Sequence, residues 1–201
     1  MSVDATYARS FVVAGLNFTI STTIESQLAI PWSVELAAAK SGSLSTRTDA
    51  NTGTLTLESG HGVTTGARLD VYWDGGRRYG VTVGTVSGTA VPIDLGAGDD
   101  LPAAGTAVTA QVPDEEAVVV TGNNVTTIAA ACAQGGTVVF ADASDATLAV
   151  IELDATTAPS YVWTSADGGT NPLAGDAVAK VFLSQPSTAA AVDMNGCVQY
   201  N

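Results

Sequence analysis

Residues 57–91 read LESGHGVTTGARLDVYWDGGRRYGVTVGTVSGTAV, and this stretch decides the fold class. Apolar and polar residues alternate with period two, and glycines interrupt the runs. Leu69, Val71 and Trp73 fall on one side of a strand, Asp70 and Tyr72 on the other. Period two places alternate residues on one face of a sheet, which predicts a half-buried strand at 67–74. Asp74-Gly75-Gly76 joins it to a second strand at 78–86, because adjacent glycines between alternating runs favour a hairpin. Further strands are expected at 54–58 and 89–94. Residues 95–105 form a loop, and Thr106–Val112 close the unit. Together 42–112 predict a small barrel of about five strands, with 41–54 (SGSLSTRTDANTGT) as a turn-rich connector.

Working outward, residues 6–31 hold strand candidates at Phe11–Val13 and at Leu16, Phe18 and Ile20. PWSVELAAAK, from Pro31, fits a helical turn or an edge strand. Pro113-Asp114-Glu115-Glu116 marks a boundary. Beyond it, Ala117–Thr121 is β-branched, and Asn123-Asn124 either cap a short helix through Ala133 or open a bulged strand. Strands follow at Thr137–Ala141, Leu148–Leu153, Tyr161–Thr164, Val178–Leu183 and Ala189–Tyr200, the last broken near Met194-Asn195-Gly196. Strand starts about 10 residues apart suit a sandwich. The expected fold is all-β: an antiparallel β-sandwich with an inserted or adjoining small β-barrel, and room for one short helix. Residues 1–41 with 113–201 make the sandwich, and 42–112 the barrel-like module. Insertion is preferred over three successive units, because isolated hairpins are only marginally stable.

The 201-residue chain is 46% hydrophobic and 13% charged, which sets it apart from disordered sequences. Seven Lys and Arg stand against 20 Asp and Glu, for a net charge of −13. Phosphate binding needs clustered cations, so direct nucleic-acid binding is not expected. No apolar run approaches the ~20 residues of a membrane helix, and no signal-peptide pattern is visible. No membrane partner is expected. The scarcity of charge on the strands points instead to a surface covered by other subunits.

Candidate chemistry is sparse, and no catalytic residue or cofactor is predicted. His61 is the single histidine and has no partner at a recognisable spacing; ordering its own loop is the commoner use. No serine sits in a G-x-S-x-G elbow. Cys132 and Cys197 fit no metal spacing, and two free thiols are favoured over a disulfide. Asp94, Asp99 and Asp100 in DLGAGDD are the candidate cation ligands, though a solvated turn is the plainer reading. Arg77 and Arg78 form the one adjacent basic pair. In an acidic chain they are interface candidates, because guanidinium grips carboxylate bidentately. Trp32, Trp73 and Trp163 are further interface or core anchors, with a sugar-stacking platform as the rarer alternative.

The run Gly60-His61-Gly62-Val63-Thr64-Thr65-Gly66-Ala67-Arg68-Leu69-Asp70-Val71 resembles a small β-module found in many tailed-bacteriophage virion proteins. Asn171-Pro172-Leu173-Ala174-Gly175-Asp176, followed by an alternating strand, is similar to segments of phage structural proteins. The resemblance implies a non-enzymatic virion protein assembled in the host cytoplasm. Its partners would be copies of itself, as a trimer or ring, and other virion proteins. Capsid decoration is the expected role, a tail-tube or other tail structural subunit the nearest rival. A carbohydrate- or surface-binding adhesion module is the alternative from another class.

Overall fold

The computed structural model describes residues 4–13, 16–25, 28–189 and 192–200, with side chains from residue 29 onward. Among these residues there is no α-helix; the chain is built from antiparallel strands and two three-residue 3-10 turns.

The quoted stretch lies in a closed barrel. Strands β4 (Lys40–Arg47), β5 (Gly53–Leu57), β6 (Arg68–Trp73), β7 (Gly76–Val83), β8 (Ala90–Asp94) and β10 (Ala107–Gln111) pair in the order β6-β10-β4-β5-β8-β7. The pairing of β6 with β7 shuts the ring, and short β9 (Ala97–Gly98) adds to β7. Closure leaves no free edge among the six strands. Leu44, Leu55, Leu69, Val71, Val81 and Ile93 belong to the apolar filling. The β6–β7 hairpin turns where expected: Trp73 pairs with Gly76, and Gly75 takes φ +81°. A left-handed φ of that kind favours glycine.

The sandwich consists of two four-stranded sheets. One has the order β11 (Asp114–Thr121), β16 (Ala177–Ser184), β13 (Gly136–Ala141), β14 (Thr147–Leu153). The other runs β15 (Ser160–Thr164), β12 (Val125–Cys132), β17 (Val192–Tyr200), β3 (Leu28–Leu36). Val118, Phe140 and Leu183 from the first pack with Trp32, Ile128 and Met194 from the second in one core. β3 pairs with β17 from Leu28↔Tyr200 to Leu36↔Val192. The chain therefore leaves the sandwich after Leu36, builds the barrel, and returns at Asp114.

Two strands earlier in the chain than β3 form a separate two-stranded ribbon. β1 (Asp4–Val13) and β2 (Leu16–Glu25) pair along all ten residues. Among the described residues neither joins another sheet, and neither has a substantial contact with another element.

Some expectations need correction, and two segments left open between helix and strand are strands. The barrel has six strands, because 40–47, read mostly as connector, is β4. Pro113–Glu116, read as a boundary, lies between barrel strand β10 and sandwich strand β11, which Asp114 opens. The segment after Asn123 is a strand; a 3-10 turn at Gly122–Asn124 leads into β12, whose pairing with β17 shifts register between Val125 and Thr127. PWSVEL lies in edge strand β3. The break expected near Gly196 is absent, and β17 is continuous from Val192; residues 190–191 lie outside the described ones.

Candidate functional site

The densest chemistry lies where barrel meets sandwich. β6 was expected to be half buried, yet Leu69, Asp70, Val71 and Tyr72 are all buried. Leu69 and Val71 fill the barrel. Asp70 and Tyr72, on the other face, meet the outer face of the β13–β16 sheet. Every residue of β13 is buried, because Val138 and Phe140 face the sandwich core while Val139 and Ala141 pack near Tyr79 of the barrel.

Four polar side chains are enclosed at this junction. Asp70 Oδ1 accepts the Gly80 N–H at 2.7 Å, and its Oδ2 accepts the Ser184 hydroxyl at 2.5 Å. The Tyr72 hydroxyl lies 2.5 Å from Ser184 Oγ and 3.0 Å from Thr137 Oγ1. Burial raises the Asp70 carboxyl and the Tyr72 phenol above their ordinary values. A serine bonded to an aspartate invites a hydrolytic reading. The arrangement fails that test: no histidine stands between them, and both are shut from solvent. Its chemistry is that of a satisfied polar lock between two sheets.

Basic side chains fasten the same junction. Arg77 Nη1 donates to Gly136 O at 2.7 Å and Leu153 O at 3.3 Å, and its Nε lies 3.7 Å from Glu152. The Arg68 guanidinium sits 4.2 Å from the Phe182 ring centre. At the crossing of the connections, Gln111 Nε2 and Gln185 Nε2 both donate to Ala37 O at 2.7 Å, and Gln111 Oε1 accepts the Gln185 N–H.

Both arginines of the candidate interface pair make hydrogen bonds within the chain. Arg77 ties barrel to sandwich. Arg78 is buried, donating to Leu95 O, Asp99 O, Gly96 O and Asn51 Oδ1 at 2.7–3.0 Å. Trp32 is buried in the sandwich core, with Phe140 edge-on at 6.3 Å, and Trp163 packs on the same core from β15. Trp73, partly exposed, lines a groove of about 340 Å³ with Tyr72, Asp74, Val108 and Pro186. The three tryptophans do not share an exposed face.

Of the candidate cation ligands, Asp94 ends β8, and Asp99 and Asp100 follow β9. Asp94 Oδ1 accepts from Thr52 Oγ1 and the Leu95 N–H, and Asp99 Oδ2 accepts the Arg77 N–H. Among the described residues no three metal-ligating side chains converge. The DLGAGDD loop does wrap a cation, but through its carbonyls, and the cation is the Arg78 guanidinium. Sequence spacing could not reveal this, because backbone acceptors carry no residue signature. His61 orders its loop: Nδ1 accepts the Val63 N–H at 3.0 Å, so Nε2 is the nitrogen that donates to Gly88 O at 3.1 Å. Cys132 and Cys197 are both free thiols.

Comparison with protein-family models, curated proteins and solved structures finds no match.

Proposed function

We propose that the chain is a non-enzymatic structural subunit of a bacteriophage particle, a shell-decoration protein acting through contacts between copies. The observation that carries the reading is the β1–β2 ribbon. Two strands of ten residues form a sheet to which, among the described residues, no third strand is added, and a lone two-stranded hairpin is marginal in water. A partner surface outside the chain supplies what the ribbon lacks. Supporting it, the buried Ser184–Asp70 pair has no access for substrate, and the acidic body offers no basic patch for phosphate. The phage assignment rests on the resemblance of residues 60–71 and 171–176 to virion proteins.

Mass photometry with negative-stain imaging of the full chain tests the proposal. Compact trimers are expected. Rings or tubes would replace the decoration role with a tail-tube subunit, whose lumen an acidic chain suits. A monomer at tens of micromolar would overturn the structural reading.

A further inference from the structure

The sandwich sheets end on unlike edges. Among the described residues the edge strands are β11, β14, β15 and β3. Charge, proline and bulges keep an edge from pairing with another chain, and three of these strands carry them. β11 opens with Asp114-Glu115-Glu116 and shifts register after Ala117. β14 carries Glu152 and a bulge at Leu148, which its pairing with β13 skips. β3 contains Pro31 and Glu35. β15 is Ser160-Tyr161-Val162-Trp163-Thr164, with no charge, no proline and an unbroken register against β12.

One contact fixes which way the backbone groups of β15 point. Cys132 N–H donates to Pro159 O at 2.9 Å, and the register sets Ala131 opposite Ser160. Bonded and non-bonded pairs alternate along an antiparallel ladder. Tyr161 and Trp163 therefore direct their backbone groups to β12. Ser160, Val162 and Thr164 each turn one N–H and one C=O outward, and among the described residues these meet no backbone partner. Tyr161 and Trp163 pack on the sandwich core, while Val162 stands 65% exposed on the other face.

These features fit one partner, the same strand of a second copy. The residue classes read alike in both directions: hydroxyl, aromatic, valine, aromatic, hydroxyl. A two-fold axis at Val162 sets it opposite Val162 of the second copy, Tyr161 opposite its Trp163, and Ser160 opposite its Thr164. Every outward N–H then meets a C=O, because the residues that face outward are those this register makes bonded pairs. The Tyr–Trp pairs fall at non-bonded positions, where side chains approach more closely, and aromatic cross-strand pairs stabilise a sheet. The strand brings no charge to the contact, although each copy carries a net −13. Five residues span only ~17 Å, so main-chain hydrogen bonds rather than area carry the contact, as where a peptide adds a strand to a sheet edge.

We infer that β15 of one copy pairs antiparallel with β15 of a second, joining two four-stranded sheets into one across a two-fold axis. This rests on the reading of the chain as a self-associating subunit, and adds a two-fold contact to those within a trimer. Sedimentation across concentration, on full-length variants whose melting temperatures match wild type, tests it. The step to read is monomer to dimer, or trimer to hexamer. Val162→Lys sets two cations opposite each other on an exposed face and is expected to weaken that step about 10-fold or more. Val119→Lys, at a comparably exposed valine of the bulged edge β11, should leave it unchanged. Val162→Cys, mildly oxidised, should yield an inter-chain disulfide that peptide mass spectrometry assigns to position 162 of both copies. If Val162→Lys does not weaken the step, or Val119→Lys weakens it equally, β15 is not the contact. If the associated Val162→Cys protein forms no such disulfide, the register is wrong. If the wild type stops at trimers, the two-fold contact is absent. Each of these overturns the inference and leaves the subunit reading standing. A wild type that stays monomeric at tens of micromolar removes both.

Discussion

Asp70 lies where an ionised carboxylate is poorly solvated, and this fixes how it responds to pH. Burial raises its pKa above the ordinary 3.8, so the folded protein holds a proton that the unfolded chain has released. Its contribution to stability is greatest below the ordinary value and is lost as pH rises through the raised one. Asp142 and Asp154 act in the opposite sense, held low by hydrogen bonds from the Ser144 and Thr156 hydroxyls. The informative quantity is therefore a difference. Between about pH 4 and neutrality, the unfolding free energy of Asp70→Asn relative to wild type should rise with pH; a flat difference would contradict the burial argument. Arg78 gives a second prediction. Lysine keeps the charge but not the fork that reaches four acceptors at once, so Arg78→Lys should cost about 3 kcal/mol in urea unfolding. A change under about 0.5 kcal/mol would mean that the loop does not depend on it. At this scale the sequence was only partly legible. Asp70 and Tyr72 alternate as polar residues of a half-exposed strand do, and nothing local distinguishes water from a second sheet as their neighbour.

Strands with large apolar residues at period two, such as β6, β7 and β8, could be read directly from the chain. β4 could not, because SGSLSTR offers one large apolar residue, Leu44, among Ser and Gly. Gly42 there lies so close to the Thr56 carbonyl that an added Cβ would overlap it. The residue that reads as a breaker is what permits the ladder. Gly196 teaches the same lesson in β17. It pairs with Trp32, and a Cβ at 196 would overlap the Trp32 indole. A glycine taken for a break is instead the floor under a tryptophan. Gly196→Ala should destabilise the protein by about 2 kcal/mol and shift the Trp32 emission as the indole leaves its seat. Unchanged stability and emission would refute that packing. The ambiguity at Asn123–Ala133 had another source: alanines at 129–131 favour helix locally, and only pairing with β15 and β17 on both sides settles them as strand.

At the scale of the molecule, barrel and sandwich each have a core, and the polar lock, the arginines and the glutamines hold them together. Among the described residues, the ribbon joins no other sheet. Among the described residues, the exposed large apolar side chains are Leu95, Val112, Val119 and Val162. Leu95 adopts φ +63°, in a loop whose carbonyls bind Arg78. The account predicts that β1 and β2 acquire their stability from another copy. Amide hydrogen exchange of the full chain, followed from nanomolar to tens of micromolar, tests this most directly. The amides of Asp4–Val13 and Leu16–Glu25 should exchange freely when dilute and become protected as copies associate, while β13 stays protected throughout. Ribbon amides that remain unprotected in the assembled state, or are equally protected in the dilute monomer, would contradict it.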